Sequence, residues 1–332
     1  MLLPRFMSTP QKGSRRMQCP SLTATPSMLY RPLGDSGLKV SALTLRLGPQ
    51  PEDRHAITSR HDAVHHALQH GVTHYTLAPQ LAPGRTSGNF LPQPLQCQLR
   101  RQRGELVLSA HPPYGFPWPE HIGLNSRKHL TAALDTMLDN LEIDYLDLYC
   151  PYRYDPRIPL TETATALADA VCRGKVLHVG VAAWPLAPTR SLAVLLRHYD
   201  IPLTAHQSAF SLTGPEGDDG LLDMLSGTGT GCIAHLPHRP DSPTPCRSSV
   251  TPAVPCSADW DHSADVTALS RVASARGQSL SQLAISWALQ QPAVASTAVT
   301  ACHPSCLAHH LQALAQLSFT PREHATISQH TP

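Results

Sequence analysis

The 332-residue sequence predicts an α/β fold, a closed (β/α)8 TIM barrel preceded by an N-terminal β-hairpin, and three observations carry that expectation. Eight apolar runs recur along the chain, beginning at Ala42, Gly71, Glu105, Tyr145, Val176, Pro202, Gly231 and Ser296. The stretches between them mostly show helical periodicity, which makes the order a βα repeat. No Gly-rich phosphate loop follows the first run, as it more often would in an open doubly wound sheet.

Each element has its own signal. Residues 1–27 contain Arg, Lys, Ser and Thr but no acid, and are expected to be a disordered or non-native extension ahead of one barrel domain over 28–330. In "YRPLGDSGLKVSAL" two extended runs flank the turn residues Asp35, Ser36 and Gly37, a hairpin composition. "NSRKHLTAALDTMLDNL" predicts a helix capped by Asn125 or Ser126, with Leu130, Leu134, Met137, Leu138 and Leu141 on one face. "LTETATALADAVCRGK" predicts a helix capped by Thr161 and stopped at Gly174, and "SLSQLAISWALQQP" one capped by Ser279 or Ser281. Residues 235–265 are crowded with Pro and Ser and read as a long loop.

Composition excludes several function classes. Hydrophobic residues make up 41% of the chain and charged ones 15%, and no apolar run approaches the roughly 20 residues a membrane span requires. The net charge of +2 is spread out, so a nucleic-acid partner is not expected and a small molecule or a protein is. Nine cysteines follow no framework, and Cys150, Cys172 and Cys232 fall within apolar patterns, which suits a reducing cytoplasm.

In a barrel, chemistry is built where strands end. Those points carry Arg46, Thr76, His111, Tyr152, Ala182 and Ala183, Gln207 and Phe210, His235, and Cys302 with His303. No carboxylate and no lysine stands among them. Acid–base work would rest on His111, His235 or Tyr152, and a histidine without a carboxylate to orient it is usually structural.

Taken together, "YRPLGDSGLKVSALTL", "GVTH", "NSRKHLTAALDTMLDNLEIDYLDLY", "ETATALADAVCRGKVLHVGV", "GLLDML" with "GCIA", and "RGQSLSQLAISWAL" resemble the aldo-keto reductases. Within that family the likeness is to the group of bacterial L-glyceraldehyde 3-phosphate reductases related to the potassium-channel β subunits. The resemblance implies hydride transfer from NADP(H) to a carbonyl. A tyrosine would give the proton, a lysine paired with an aspartate would sharpen its acidity, and a histidine would orient the substrate oxygen. At those four positions this sequence has Thr76 for the aspartate, Leu81 for the tyrosine, His111 for the lysine and Tyr152 for the histidine. Leucine has no titratable proton, and general acid catalysis is typically worth about 10²- to 10⁴-fold.

The cofactor positions implied by the resemblance are altered too. Ala182 and Ala183 stand where a Ser-Asn or Ser-Ser pair would bond the nicotinamide carboxamide, and Arg46 where a glycine would let the backbone approach the ring. Gln207 is kept, Phe210 stands where a tyrosine would stack and can still stack there, and Arg239, beside Pro237, is left as a residual anion contact. Cys302 and His303 replace the Ser and Arg of the adenosine end.

No metal site is expected. Cys302, Cys306, His309 and His310 have helical spacing but coincide with the family's cofactor positions, and His61, His65, His66 and His70 read as an exposed helix face. The leading expectation is a catalytically impaired pseudoenzyme with a binding or regulatory role, and a protein partner in the manner of channel β subunits. The alternative is an active NADP(H)-dependent oxidoreductase of small aldehydes, such as glyceraldehyde 3-phosphate or methylglyoxal, rebuilt around Tyr152 and His111.

Overall fold

A computed structural model describes residues 27–47, 54–77, 93–112, 123–212, 214–215, 220–235, 264–301 and 303–331. The expected extension, all but Ser27, and the Pro/Ser-rich loop between His235 and Ala264 lie outside the described residues.

The hairpin forms as expected: β1 (Tyr30–Pro32) pairs antiparallel with β2 (Lys39–Ser41). Ser36 closes the turn by donating its Oγ–H to the Leu33 carbonyl at 2.6 Å. The eight barrel strands are β3 (Leu43–Leu47), β4 (His74–Leu77), β5 (Val107–Ala110), β6 (Leu146–Tyr149), β7 (Val176–Ala182), β8 (Leu203–Ser211), β10 (Gly231–His235) and β11 (Val294–Thr300). All pair in parallel, and the β8–β10 pairing beside β10–β11–β3 closes the circle. A two-residue strand absent from the sequence reading, β9 (Gly214–Pro215), turns back antiparallel onto the end of β8 at Phe210 and Ser211.

Ten α-helices are described: α1 (Arg54–Gln69), α2 (Gln93–Arg101), α3 (Arg127–Leu141), α4 (Leu160–Cys172), α5 (Leu186–Arg197), α6 (Leu221–Thr228), α7 (Ala264–Ala275), α8 (Leu280–Ala288), α9 (Pro304–Leu311) and α10 (Pro321–His330). The five apolar residues expected to share a face of α3 are all buried, and Ser126 caps that helix by accepting from the His129 N–H. Ser279 caps α8 in a capping box with Gln282, satisfying two backbone donors that a helix start otherwise leaves open. The cap of α4 is corrected: the helix begins at Leu160 after Pro159, and Thr161 lies inside its first turn. Proline at φ −58° presets the entry angle, so no side-chain cap is made. Gly174 ends that segment at φ +69° as expected.

Period-2 alternation splits the core into two layers. On β3, Leu43, Leu45 and Leu47 are buried in the layer that the helices cover, while Thr44 and Arg46 turn to the barrel axis. The inner layer holds Leu148, Cys150, Ala182, Ala205, Ile233 and Ala298, together with Leu33 and Val40 of the hairpin. Burying a leucine fully contributes about 1.5–3 kcal/mol, so the hairpin is fastened across the lower end by its own side chains. Backbone contact tightens the seat: the Asp35 N–H donates to the Gly229 carbonyl at 2.8 Å. A Cβ on Gly34 would lie 2.2 Å from that same carbonyl oxygen.

Among the described residues no helix is long and apolar enough to cross a membrane.

Candidate active site

Strand register brings the expected residues to one level at the carboxyl ends. Arg46 is paired with Thr76 on β4 and with Thr300 on β11, and Ala182 with Gln207 across β7 and β8. His111 follows β5, its N–H bonded to the Leu77 carbonyl, and Tyr152 follows β6, bridged in parallel to Ala182.

His111 is at the centre of a directed hydrogen-bond chain. Its Nδ1 is 3.0 Å from the Cys150 carbonyl, which only accepts, so Nδ1 carries the proton and Nε2 the lone pair. Thr76 Oγ1 is 3.5 Å from that Nε2, and Gln207 Nε2 donates to Thr76 Oγ1 at 3.2 Å. Polarity therefore runs from the Gln207 amide through the Thr76 hydroxyl to His111 and on to Cys150. Burial pushes the His111 pKa down to about 4, the Cys150 bond opposing it and the charge on Arg46 adding to it. The ring is neutral at pH 7.

Tyr152 meets His111 edge to face, with ring centroids 6.1 Å apart, and the Arg153 guanidinium lies 5.6 Å from the centre of the Tyr152 ring. Two non-glycine residues here have left-handed backbones, Arg153 at φ +57° and Ala183 at φ +53°. Hydrogen bonds hold both: Arg153 N–H to the Ala182 carbonyl and Ala183 N–H to the Gln207 carbonyl, each 2.9 Å. Such conformations persist only where surrounding contacts over-determine them.

Sequence reading missed two features. The Arg46 guanidinium donates to His235 Nε2 at 2.8 Å, joining β3 and β10 past the intervening β11. One layer below, the wholly buried His74 has Nδ1 2.7 Å from Thr44 Oγ1 and Nε2 2.9 Å from Ser109 Oγ, and Thr44 continues to Ser296 at 2.7 Å. Burial, then repulsion from His111, lowers the His74 pKa to about 3. The available signal was parity, since Thr44, His74 and Ser109 all fall on inward positions of their strands.

Leu81, Pro237, Arg239 and Cys302 lie outside the described residues, and of Phe210 only the backbone in β8 is described. His303 sits away from the chain of contacts above: it caps α9, its Nδ1 accepting from the Ser305 N–H at 3.2 Å. His309 bonds Ser279 Oγ at 2.9 Å, and Cys306 is buried.

The sequence matches the aldo/keto reductase family over residues 46–332. An L-glyceraldehyde 3-phosphate reductase of Escherichia coli strain K12 is 34% identical over 327 residues, covering 91% of this chain and 92% of that protein. The chain belongs to the aldo/keto reductase family. A probable voltage-gated potassium channel subunit beta of Arabidopsis thaliana is 31% identical over 158 residues, 47% of each chain. The crystal structure of a thermostable aldo-keto reductase superposes with a TM-score of 0.68, covering 91% of this chain and all of that one at 21% identity, a likeness of fold. Membership in the aldo/keto reductases agrees with the closed eight-strand barrel and its N-terminal hairpin.

Proposed function

We propose that this aldo/keto reductase barrel has lost carbonyl reduction and acts as a binding or regulatory protein. One observation carries the reading. Where the family resemblance places a lysine, His111 is buried, neutral and committed on both ring nitrogens to Cys150 and Thr76. A neutral imidazole closed into that chain supplies no positive charge to a developing alkoxide, and removing one such stabilising group typically lowers turnover about 10²- to 10³-fold. Thr76, at the aspartate position, accepts from Gln207 and pairs no cation there.

The residues present do not fit a nicotinamide nucleotide well. Ala182 and Ala183 offer methyl groups where the carboxamide would need hydrogen bonds, the Gln207 amide nitrogen is engaged by Thr76, and the Arg46 side chain stands across the mouth against His235. Leu81 in the tyrosine position supports the same reading from sequence alone.

The experiment is a fluorescence titration of NADPH into the purified protein, followed by turnover assays with L-glyceraldehyde 3-phosphate and methylglyoxal. Absence of both binding and turnover is expected; turnover above a heat-inactivated control would overturn the proposal. A second reading, an active reductase with Tyr152 as the acid, is favoured by the edge-to-face approach of Tyr152 to His111. It requires NADPH binding that is lost in Phe210→Ala and turnover that is lost in Tyr152→Phe.

A further inference from the structure

α1 carries four histidines in two i, i+4 pairs, His61 with His65 and His66 with His70. Neither pair belongs to the barrel mouth. Residues four apart on a helix share a face, and here the contact is direct: the His61 and His65 ring centroids are 4.4 Å apart, edge to face. Two nitrogens sharing one ion are separated by at most about twice the metal–nitrogen distance, roughly 4 Å, so rotation of the rings about their own side chains suffices for chelation.

We propose that His61 and His65 form a two-imidazole site for a borderline divalent transition-metal ion, Cu(II) foremost, with Gln98 of α2 as the residue that positions His65. Imidazole suits copper, nickel and zinc, and copper binds most tightly of these at a given nitrogen site. Access is open, since His65 is exposed and His61 partly so.

The decisive detail is the neighbour. The Gln98 amide Nε2 is 3.0 Å from His65 Nδ1, while Gln98 Oε1 is buried and has no hydrogen-bond partner. Turning the amide over brings Oε1 to His65 Nδ1. That oxygen then accepts an Nδ1–H, the proton having moved from Nε2 through solvent, and the Nε2 lone pair faces the ion. A metal-bound histidine almost always has its second nitrogen held by such an acceptor. The flip gives that oxygen its partner, places the amide NH2 in the buried position that Oε1 leaves, and makes no net change in the protonation of His65.

The neighbouring pair is less suited. His66 and His70 have ring centroids 4.1 Å apart, but His66 Nε2 is sealed from solvent and its ring would have to leave that position to bind. Among the described residues no group of three or more His, Cys, Asp or Glu side chains could hold an ion, so waters complete the coordination.

The test is competition titration of Cu(II) against a glycine buffer with the full chain, nitrogen coordination being read by electron paramagnetic resonance and folding by circular dichroism. Loss of an orienting partner typically lowers affinity about 10- to 100-fold, and loss of a ligand no less. His61→Ala and His65→Ala are each expected to weaken the tightest equivalent by roughly tenfold or more, Gln98→Ala to weaken it by about tenfold, and Gln98→Glu to strengthen it. His70→Ala is expected to leave it unchanged. Unchanged affinity in both His61→Ala and His65→Ala, or a loss seen only with His70→Ala, overturns the site. Indifference to both Gln98 variants overturns the positioning role.

Discussion

Arg46 on β3 and His235 on β10 are joined by a 2.8 Å hydrogen bond across the mouth of the barrel, although 189 residues separate them in sequence. The guanidinium is a permanent donor, so His235 accepts through Nε2 and remains unprotonated at that atom. A long side chain is thereby held where the family resemblance has a glycine.

Replacing that side chain is the direct check on what closes the mouth. Arg46→Gly is expected to bring NADPH binding, absent in the parent protein, into the measurable range, read by nucleotide fluorescence. If the affinity does not change, the guanidinium is not what excludes the nucleotide, and the alanine pair at 182 and 183 becomes the sufficient cause.

Acid stability follows from the buried histidines. His74, His111 and His206 are all lowered by burial, to about 3, about 4 and about 4. In the unfolded chain they titrate near 6.5, so between roughly pH 6.5 and 4 the unfolded state binds more protons and stability rises with pH. Their full contribution is present above about pH 6.5 and is lost as pH falls toward the folded values. At pH 5 each withdraws roughly 2 kcal/mol. Urea midpoints measured from pH 7.5 to 5 should fall steeply, and His74→Gln should flatten the slope. An unaltered slope in that variant would show that His74 titrates normally in the folded protein.

Arg276 ties the C-terminal segment to the barrel's outer layer. It donates to the Ser318 and Gln316 carbonyls at 3.0 and 2.9 Å, reaches Glu323 Oε2 at 3.1 Å and covers the Phe319 ring at 4.1 Å. Arg276→Met takes the donor from the Ser318 carbonyl and the cation from Glu323, while Gln278 still serves the Gln316 carbonyl and Thr320 still serves Glu323, and is expected to cost about 3 kcal/mol by urea denaturation. Ser279→Ala, which removes one cap, is expected to cost about 1 kcal/mol. Equal losses in the two variants would contradict this ranking.

The hairpin's seat depends on Gly34. Its φ of +58° and the 2.2 Å that a Cβ would leave to the Gly229 carbonyl make Gly34→Val doubly unfavourable. A loss of more than about 2 kcal/mol is expected. A near-neutral Gly34→Val would mean that the hairpin lifts off the barrel without unfolding it.

The barrel was legible because its signals are local. Alternation in "ALTLRL" and a 3.6-residue period in "NSRKHLTAALDTMLDNL" each report their own element, and the caps at Ser126 and Ser279 lie beside the helices they start. Thr161 misled because it looks like a cap, while the proline two residues earlier had already set the chain direction. The mouth was legible only as a roster of residues. Which of them touch is decided by closure of the sheet, which brings Gln207 to Thr76 across 131 residues and Arg46 to His235 across 189. No short-range pattern encodes such pairs, and the short strand β9 needs its partner at the end of β8 before it exists at all.

The plug that the hairpin makes also gives the molecule a handle. Tyr30 donates its phenol to the Gly71 carbonyl just before β4, so β1 is fixed at the pole opposite the strand ends. A label, a surface anchor or a fused domain joined next to Tyr30 would leave the carboxyl ends of the barrel strands facing away from the attachment, and immobilised protein oriented this way would present every molecule of a sensor layer with the same face up.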